Sequence, residues 1–213
     1  MIEGPVFDPA FRAQLGVLLD WRRDVRRFRR DPLPPGMLER LLDAACLAPS
    51  VGLSQPWRFV AVDDPARRAS VRANFTRCNA EALAAQPSDR MAAYARLKLA
   101  GLDAAPVHLA VFADPATDQG HGLGRRTMPE MLEYSVVAAA HTLWLAARAE
   151  GIGMGWVSIL DPGGIAETLE VPSDWKLIGY FCLGYAEAED VRPVLEREGW
   201  ERRRPNELFL LRR

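Results

Sequence analysis

Cysteine, histidine and lysine are all scarce in this chain. Its 213 residues hold three cysteines, Cys46, Cys78 and Cys182, far apart, odd in number and in no C-x-x-C arrangement. That pattern leaves no disulfide framework and suits a reduced, cytoplasmic protein. Three histidines, His108, His121 and His141, show no metal-ligand spacing, so no protein-bound metal is expected. His108 lies in an apolar run and His141 in a helical pattern, where each reads as a structural side chain. No apolar run is long enough to span a membrane, and the N-terminus lacks a signal peptide's apolar core. A basic excess is missing too: 27 Lys and Arg face 28 Asp and Glu, which argues against a nucleic-acid partner. Repeats, low-complexity tracts and Gly/Ser linkers are absent, so residues 1–213 read as one domain.

What is abundant is arginine. Lys98 and Lys176 are the two lysines; the other 25 cations are Arg. Six of the nine residues after Trp21 are arginines, with Asp24 inside the run (Trp21-Arg-Arg-Asp-Val-Arg-Arg-Phe-Arg-Arg30). Guanidinium grips phosphate through paired charge-assisted hydrogen bonds. One reading is therefore a phosphate-bearing ligand held by Arg22, Arg23 or Arg26, with Asp24 close by. The other is a solvated face in an arginine-rich chain.

Asp8-Pro9 caps a first helix carrying Phe11, Leu15, Leu18 and Leu19, which delivers the chain into the arginine run. A second helix with Met37, Leu41 and Ala45 on one face ends before Pro49. The turn-rich stretch 48–57, Ala-Pro-Ser-Val-Gly-Leu-Ser-Gln-Pro-Trp, either approaches a ligand through Gly52 or merely connects helix to strand. Strands are expected at 57–62, 107–113, 151–158 and 176–183. Helix is expected over 65–104, broken near Gln86-Pro87-Ser88, as a candidate lid or a plain surface hairpin. The longest helix, 129–150, is apolar nearly all round and should be the buried central one. Alternate glycines at 151, 153 and 155 imply a close approach by a ligand or a packed helix. The polar tail ends in an apolar Leu208-Phe-Leu-Leu211, which suggests docking.

In this order, Arg-Arg-x-x-Arg-x-Phe, Ala-Pro-Ser, Gln-Pro-Trp and Gly-x-Gly-x-Gly-Trp resemble the nitroreductase-like flavoproteins over nearly the whole chain. The match is nearer to their 5,6-dimethylbenzimidazole synthase branch. It is carried by Arg-Arg-Asp-Val-Arg (22–26), Ala-Pro-Ser-Val-Gly (48–52), Gly-Leu-Gly-Arg-Arg-Thr-Met-Pro-Glu-Met (122–131) and Gly-Trp-Val-Ser-Ile-Leu (155–160). Asp24 is the most specific mark, because ordinary nitroreductases usually carry serine there; Ala100 departs from an acid expected in the branch.

The resemblance implies an α+β fold with a central mixed β-sheet flanked by helices, and a homodimer with FMN at its interface. It implies a lid at about 77–99 and a docking tail at about 186–213. The activity implied is oxygen-dependent fragmentation of reduced FMN to 5,6-dimethylbenzimidazole, the lower ligand of vitamin B12, and erythrose 4-phosphate. FMN is then substrate as well as ligand, O2 is co-substrate, and a separate flavin reductase supplies FMNH2 transiently. Two alternatives remain, an NAD(P)H-dependent nitro- or quinone reductase and a non-catalytic flavin-binding protein.

Asp24 and Ser158 are the implied catalytic residues. Arg22, Arg23, Asp24, Val25, Arg26, Ser50, Leu99, Ser158 and, as a weaker candidate, Arg202 are the implied flavin contacts. A carboxylate 4 Å from a phosphate charge costs about 4 kcal/mol at an effective dielectric near 20. Asp24 must then be neutralised by an arginine of the run or aimed at the ring and ribityl chain. Ser158 would hydrogen-bond a ring or peroxide oxygen.

Overall fold

The structure, a computed structural model, describes residues 4–97, 101–205 and 209–212. Asp8 accepts the Phe11 N–H at 2.7 Å, and Pro9 opens α1 (Pro9–Trp21). A proline there is harmless because its missing N–H would lack a helical partner anyway. α2 (Met37–Ala45) turns Met37, Leu41 and Ala45 inward. A 3-10 turn at Val51–Leu53 leads into β1 (Trp57–Ala61). Asp64 and Pro65 start α3 (Pro65–Ala84), which breaks at residues 85–87 before α4 (Ser88–Arg96) and the short α5 (Gly101–Ala104). β2 (Val107–Ala113), α6 (Met131–Ala149), β3 (Gly153–Val157), α7 (Pro162–Leu169), β4 (Lys176–Gly184) and α8 (Val194–Arg197) complete the chain.

The sheet runs β1-β2-β4-β3, with every neighbouring pair antiparallel. Its parallel component is a single bridge between Asp24 and Met154, supported by a 3.1 Å bond from the Val25 N–H to the Met154 carbonyl. The arginine run thus covers the free edge of β3, which would otherwise present unpaired backbone.

Alternation along the strands splits the interior in two. Leu109 and Val111 face α2 and α6, where Val136, Ala139, Ala140 and Leu143 are fully buried. Ala110 and Phe112 face Phe28, Val71, Ile165 and Tyr180 on the other side. α6 is the buried central helix expected, its alanines letting α2 approach.

Two of the alternate glycines, Gly153 and Gly155, have a cause other than the two expected, whereas Gly151 takes a left-handed φ of +73° after α6 with nothing near its missing Cβ. A Cβ on Gly153 would stand 2.7 Å from Val25 Cγ2, and one on Gly155 would run into the Val25 carbonyl oxygen. They accommodate the arginine run, a segment 130 residues earlier, because extended backbone laid on backbone leaves no room for a side chain. Gly52 likewise adopts a left-handed φ of +58° against Leu123 and Gly120, not against a ligand.

Candidate active site

Four arginines of the run have partners of their own. Arg22 caps α1 and lays its guanidinium 4.7 Å from the centre of the Trp144 ring. Arg23 donates from Nε to the Val191 carbonyl at 2.6 Å and from a terminal nitrogen to the Arg22 carbonyl at 2.7 Å. Arg26 donates from Nε to Asp24 Oδ2 at 3.1 Å, and Arg29 pairs with Asp31 at 2.9 Å. The solvated-face reading thus fits the outer part of the run, where Arg27 and Arg30 are exposed.

Asp24 meets the first of the two alternatives set for it, neutralisation by an arginine of the run. Oδ2 is balanced by Arg26, while Oδ1 accepts the backbone N–H of Trp156 on β3 at 3.0 Å. Its side chain remains 34% exposed, against 17% for Arg26. Asp24 therefore lines a cleft of about 300 Å³ with Arg23, Val25, Arg26, Leu97, Arg148 and the start of the tail. Ser158 is exposed one residue beyond β3. It lies two residues, about 7 Å of extended chain, from the N–H that Asp24 accepts. Asp24 lines the cleft, whereas Ser158 is not among the residues that line it.

The other expected contacts lie elsewhere. The Ser50 hydroxyl accepts the Gln55 N–H at 3.1 Å, while the next N–H, of Val51, donates to Ser135 Oγ near the start of α6 at 3.0 Å. Arg22 stacks on Trp144, nine residues further along that helix and so about 13 Å away along its axis. One chain does not unite Ser50 with the arginine run. Leu99 lies outside the described residues, and its neighbour Leu97 lines the cleft. Arg202 is exposed; the tail arginine whose charge falls on the run is Arg203.

Burial lowers the pKa of Arg22, and the charge of Arg203 lowers it further against the opposing pull of Asp24. Arg23 is lowered by burial, then by Arg203 and Arg22. Half-buried Arg22 and Arg23, which also feel the charge of the exposed Arg203, suit an anion such as the FMN phosphate. Beneath Arg22, the indole N–H of Trp144 is buried with no acceptor among the described residues. Both observations fit a bound flavin phosphate.

The segment expected as a lid meets the tail. Trp200 stands edge-on to Tyr94, with ring centres 6.1 Å apart, and under Arg90 at 5.4 Å. The first part of the tail docks on its own chain: Glu187 N–H donates to the Arg27 carbonyl at 3.2 Å, and Glu189 forms a bidentate pair with Arg148 at 2.6 and 3.0 Å. Phe209, Leu210 and Leu211 stay exposed. Sequence reasoning missed Arg148, Glu189, Trp200 and Arg203, because none of these pairings has a local spacing to betray it. A buried asparagine in mid-helix, Asn74, was a signal that could have been read.

The chain belongs to the nitroreductase family, whose model matches residues 19–185. Within that family it is similar to two 5,6-dimethylbenzimidazole synthases. One, from Rhodospirillum rubrum, is 60% identical over 97% of this chain and 98% of that protein. The other, from Rhodobacter capsulatus, is 48% identical over 94% of this chain and 97% of that protein. Among solved structures, iodotyrosine deiodinase bound to FMN and 3-iodo-L-tyrosine shares the fold with a TM-score of 0.70 at 24% identity. That match covers 83% of this chain and 91% of the other.

Proposed function

We propose that this chain fragments reduced FMN with O2 into 5,6-dimethylbenzimidazole and erythrose 4-phosphate, supplying the lower ligand of vitamin B12. The observation that carries this reading is Asp24, a carboxylate held on β3 by the Trp156 N–H and still open to a cleft beside the arginines. The names and near-complete coverage of the relatives support it.

Reduced flavin, when bound, supplies the electrons that activate O2 and the carbon skeleton that is cut. Arg22, Arg23 and Arg203 hold its phosphate, with Arg202 a weaker candidate. Asp24 offers a proton acceptor near the sugar arm, and Arg26, 3.1 Å from its Oδ2, holds the carboxylate in place. Such a group contributes about 10²–10⁴-fold. Ser158 Oγ offers a hydrogen bond beside the ring. The lid, α4 with the end of α3, excludes water that would otherwise divert the reaction.

A second copy of the chain completes the site in this reading. α1 buries no residue and exposes Phe7, Phe11, Leu15 and Val17, beside a groove of about 590 Å³ shared with Arg148 and Glu189. A partner seated there would bring its own Ser50 loop and give the apolar tail end a surface. A separate flavin reductase would deliver FMNH2 transiently.

Incubating the protein with reduced FMN in air should yield 5,6-dimethylbenzimidazole by mass. Rapid NADPH oxidation with a nitroaromatic and no benzimidazole would establish the reductase instead; tight FMN binding with neither would establish a binding protein. Asp24→Asn keeps an acceptor for the Trp156 N–H, so FMN binding should persist while product falls about 100-fold or more. Unchanged product in that variant removes Asp24 from the chemistry.

A further inference from the structure

We infer that Asn74 is a positioning residue that fixes Ser158 by clamping the backbone of Asp161 and so ties the Ser158 loop to the base of the lid. This rests on the reaction proposed above.

Asn74 is 9% exposed in the middle of α3. Its Oδ1 accepts the Asp161 N–H at 2.9 Å and its Nδ2 donates to the Asp161 carbonyl at 3.2 Å. One side-chain amide thus pairs with another residue's backbone as a neighbouring strand would. The Asp161 carboxylate is held as well, by the Gly163 N–H at 3.2 Å and the Arg77 guanidinium at 3.3 Å. Gly164 completes the seat, since a Cβ there would come within 2.8 Å of Asn74 Nδ2.

Val157 pairs with Tyr180 at the end of β3, and Asp161 is fixed by Asn74. Ser158, Ile159 and Leu160 are therefore the three residues strung between two anchors. Asparagine is a poor helix former, and an unpaired buried amide is costly, so packing alone would favour an apolar residue at position 74. It stands just before residue 77, where the lid begins, so a shift of the lid base reaches Ser158 through two hydrogen bonds.

The test uses the full chain carrying Asn74→Ala. In the flavin-free protein, deuterium uptake over residues 158–161 should rise while that over α6 stays unchanged. Oxidised FMN should bind within about threefold of wild type, because no phosphate contact is touched. With reduced FMN in air, benzimidazole formed per flavin consumed should fall about tenfold or more, as expected of small misplacements in a site. The balance should appear as FMN and hydrogen peroxide, from FMNH2 + O2 → FMN + H2O2. In a Ser158→Ala background the Asn74 change should add less than about twofold, since a residue acting through Ser158 has nothing left to position.

Arg77→Leu loosens Asp161 from the exposed side and should repeat the pattern more weakly, at about two- to fivefold; it serves if Asn74→Ala does not fold. Full multiplicativity with Ser158→Ala, unchanged coupling in both variants, or a Ser158→Ala protein as productive as wild type overturns the inference while leaving the reaction intact. A wild-type protein that forms no benzimidazole overturns the reaction itself, and this inference with it.

Discussion

Gly155 has no side chain because the Val25 carbonyl occupies the place where one would project. Gly155→Ala should cost about 1–3 kcal/mol in a denaturant titration, the range for overpacking a filled site. It should also weaken FMN binding, since lifting Val25 drags Arg22, Arg23 and Asp24 off β3. A second residue-scale prediction concerns acid. His108 is 2% exposed, its Nδ1 stands 2.9 Å from the Tyr180 hydroxyl, and burial followed by the charge of Arg68 lowers its pKa to about 4. The unfolded chain, with an ordinary histidine near 6.5, binds more protons between those two values. The neutral form's contribution is therefore complete above pH 6.5 and lost as pH falls toward 4, by up to about 3 kcal/mol. A His108→Gln variant should show a flatter stability curve across that window. The sequence identified this histidine as structural from its apolar surroundings, but Tyr180 lies 72 residues away and had no local signature.

At the scale of elements, the proposed lid meets the tail through the side chains of Tyr94, Arg90 and Trp200. Trp200 contributes one edge-to-face contact and one cation–π contact to α4, together about 1–2 kcal/mol. Trp200→Ala should raise the open population on the order of tenfold. The check is faster trypsin cleavage in α4, together with more hydrogen peroxide per reduced FMN consumed. Caps and proline breaks were legible here: Asp8-Pro9 starts a helix where the sequence placed one, and the break expected near Gln86-Pro87-Ser88 falls between α3 and α4. Which helix covers the site was not legible, because α3 and α4 are too polar to announce a face of their own.

For the molecule as a whole, Ser50 and Arg22 stand about 13 Å apart along α6, while α1 offers an unpartnered apolar flank. Charges placed on that flank by Leu15→Asp with Val17→Asp should convert a dimer to a monomer by size-exclusion chromatography and abolish FMN binding together with it. A monomer that still binds FMN tightly would place the whole site within one chain. By itself the sequence indicated the longer helices, the four strands and the buried α6, and by resemblance named Asp24 and Ser158 as candidates, because these rest on local periodicity, capping chemistry and short motifs. Tertiary structure alone decided that Val25 fills the β3 glycines, that Arg203 joins Arg22 and Arg23, and that Asn74 grips Asp161. Each is a contact between segments far apart in the chain, and nothing in the spacing of residues records which distant backbone will be laid against which.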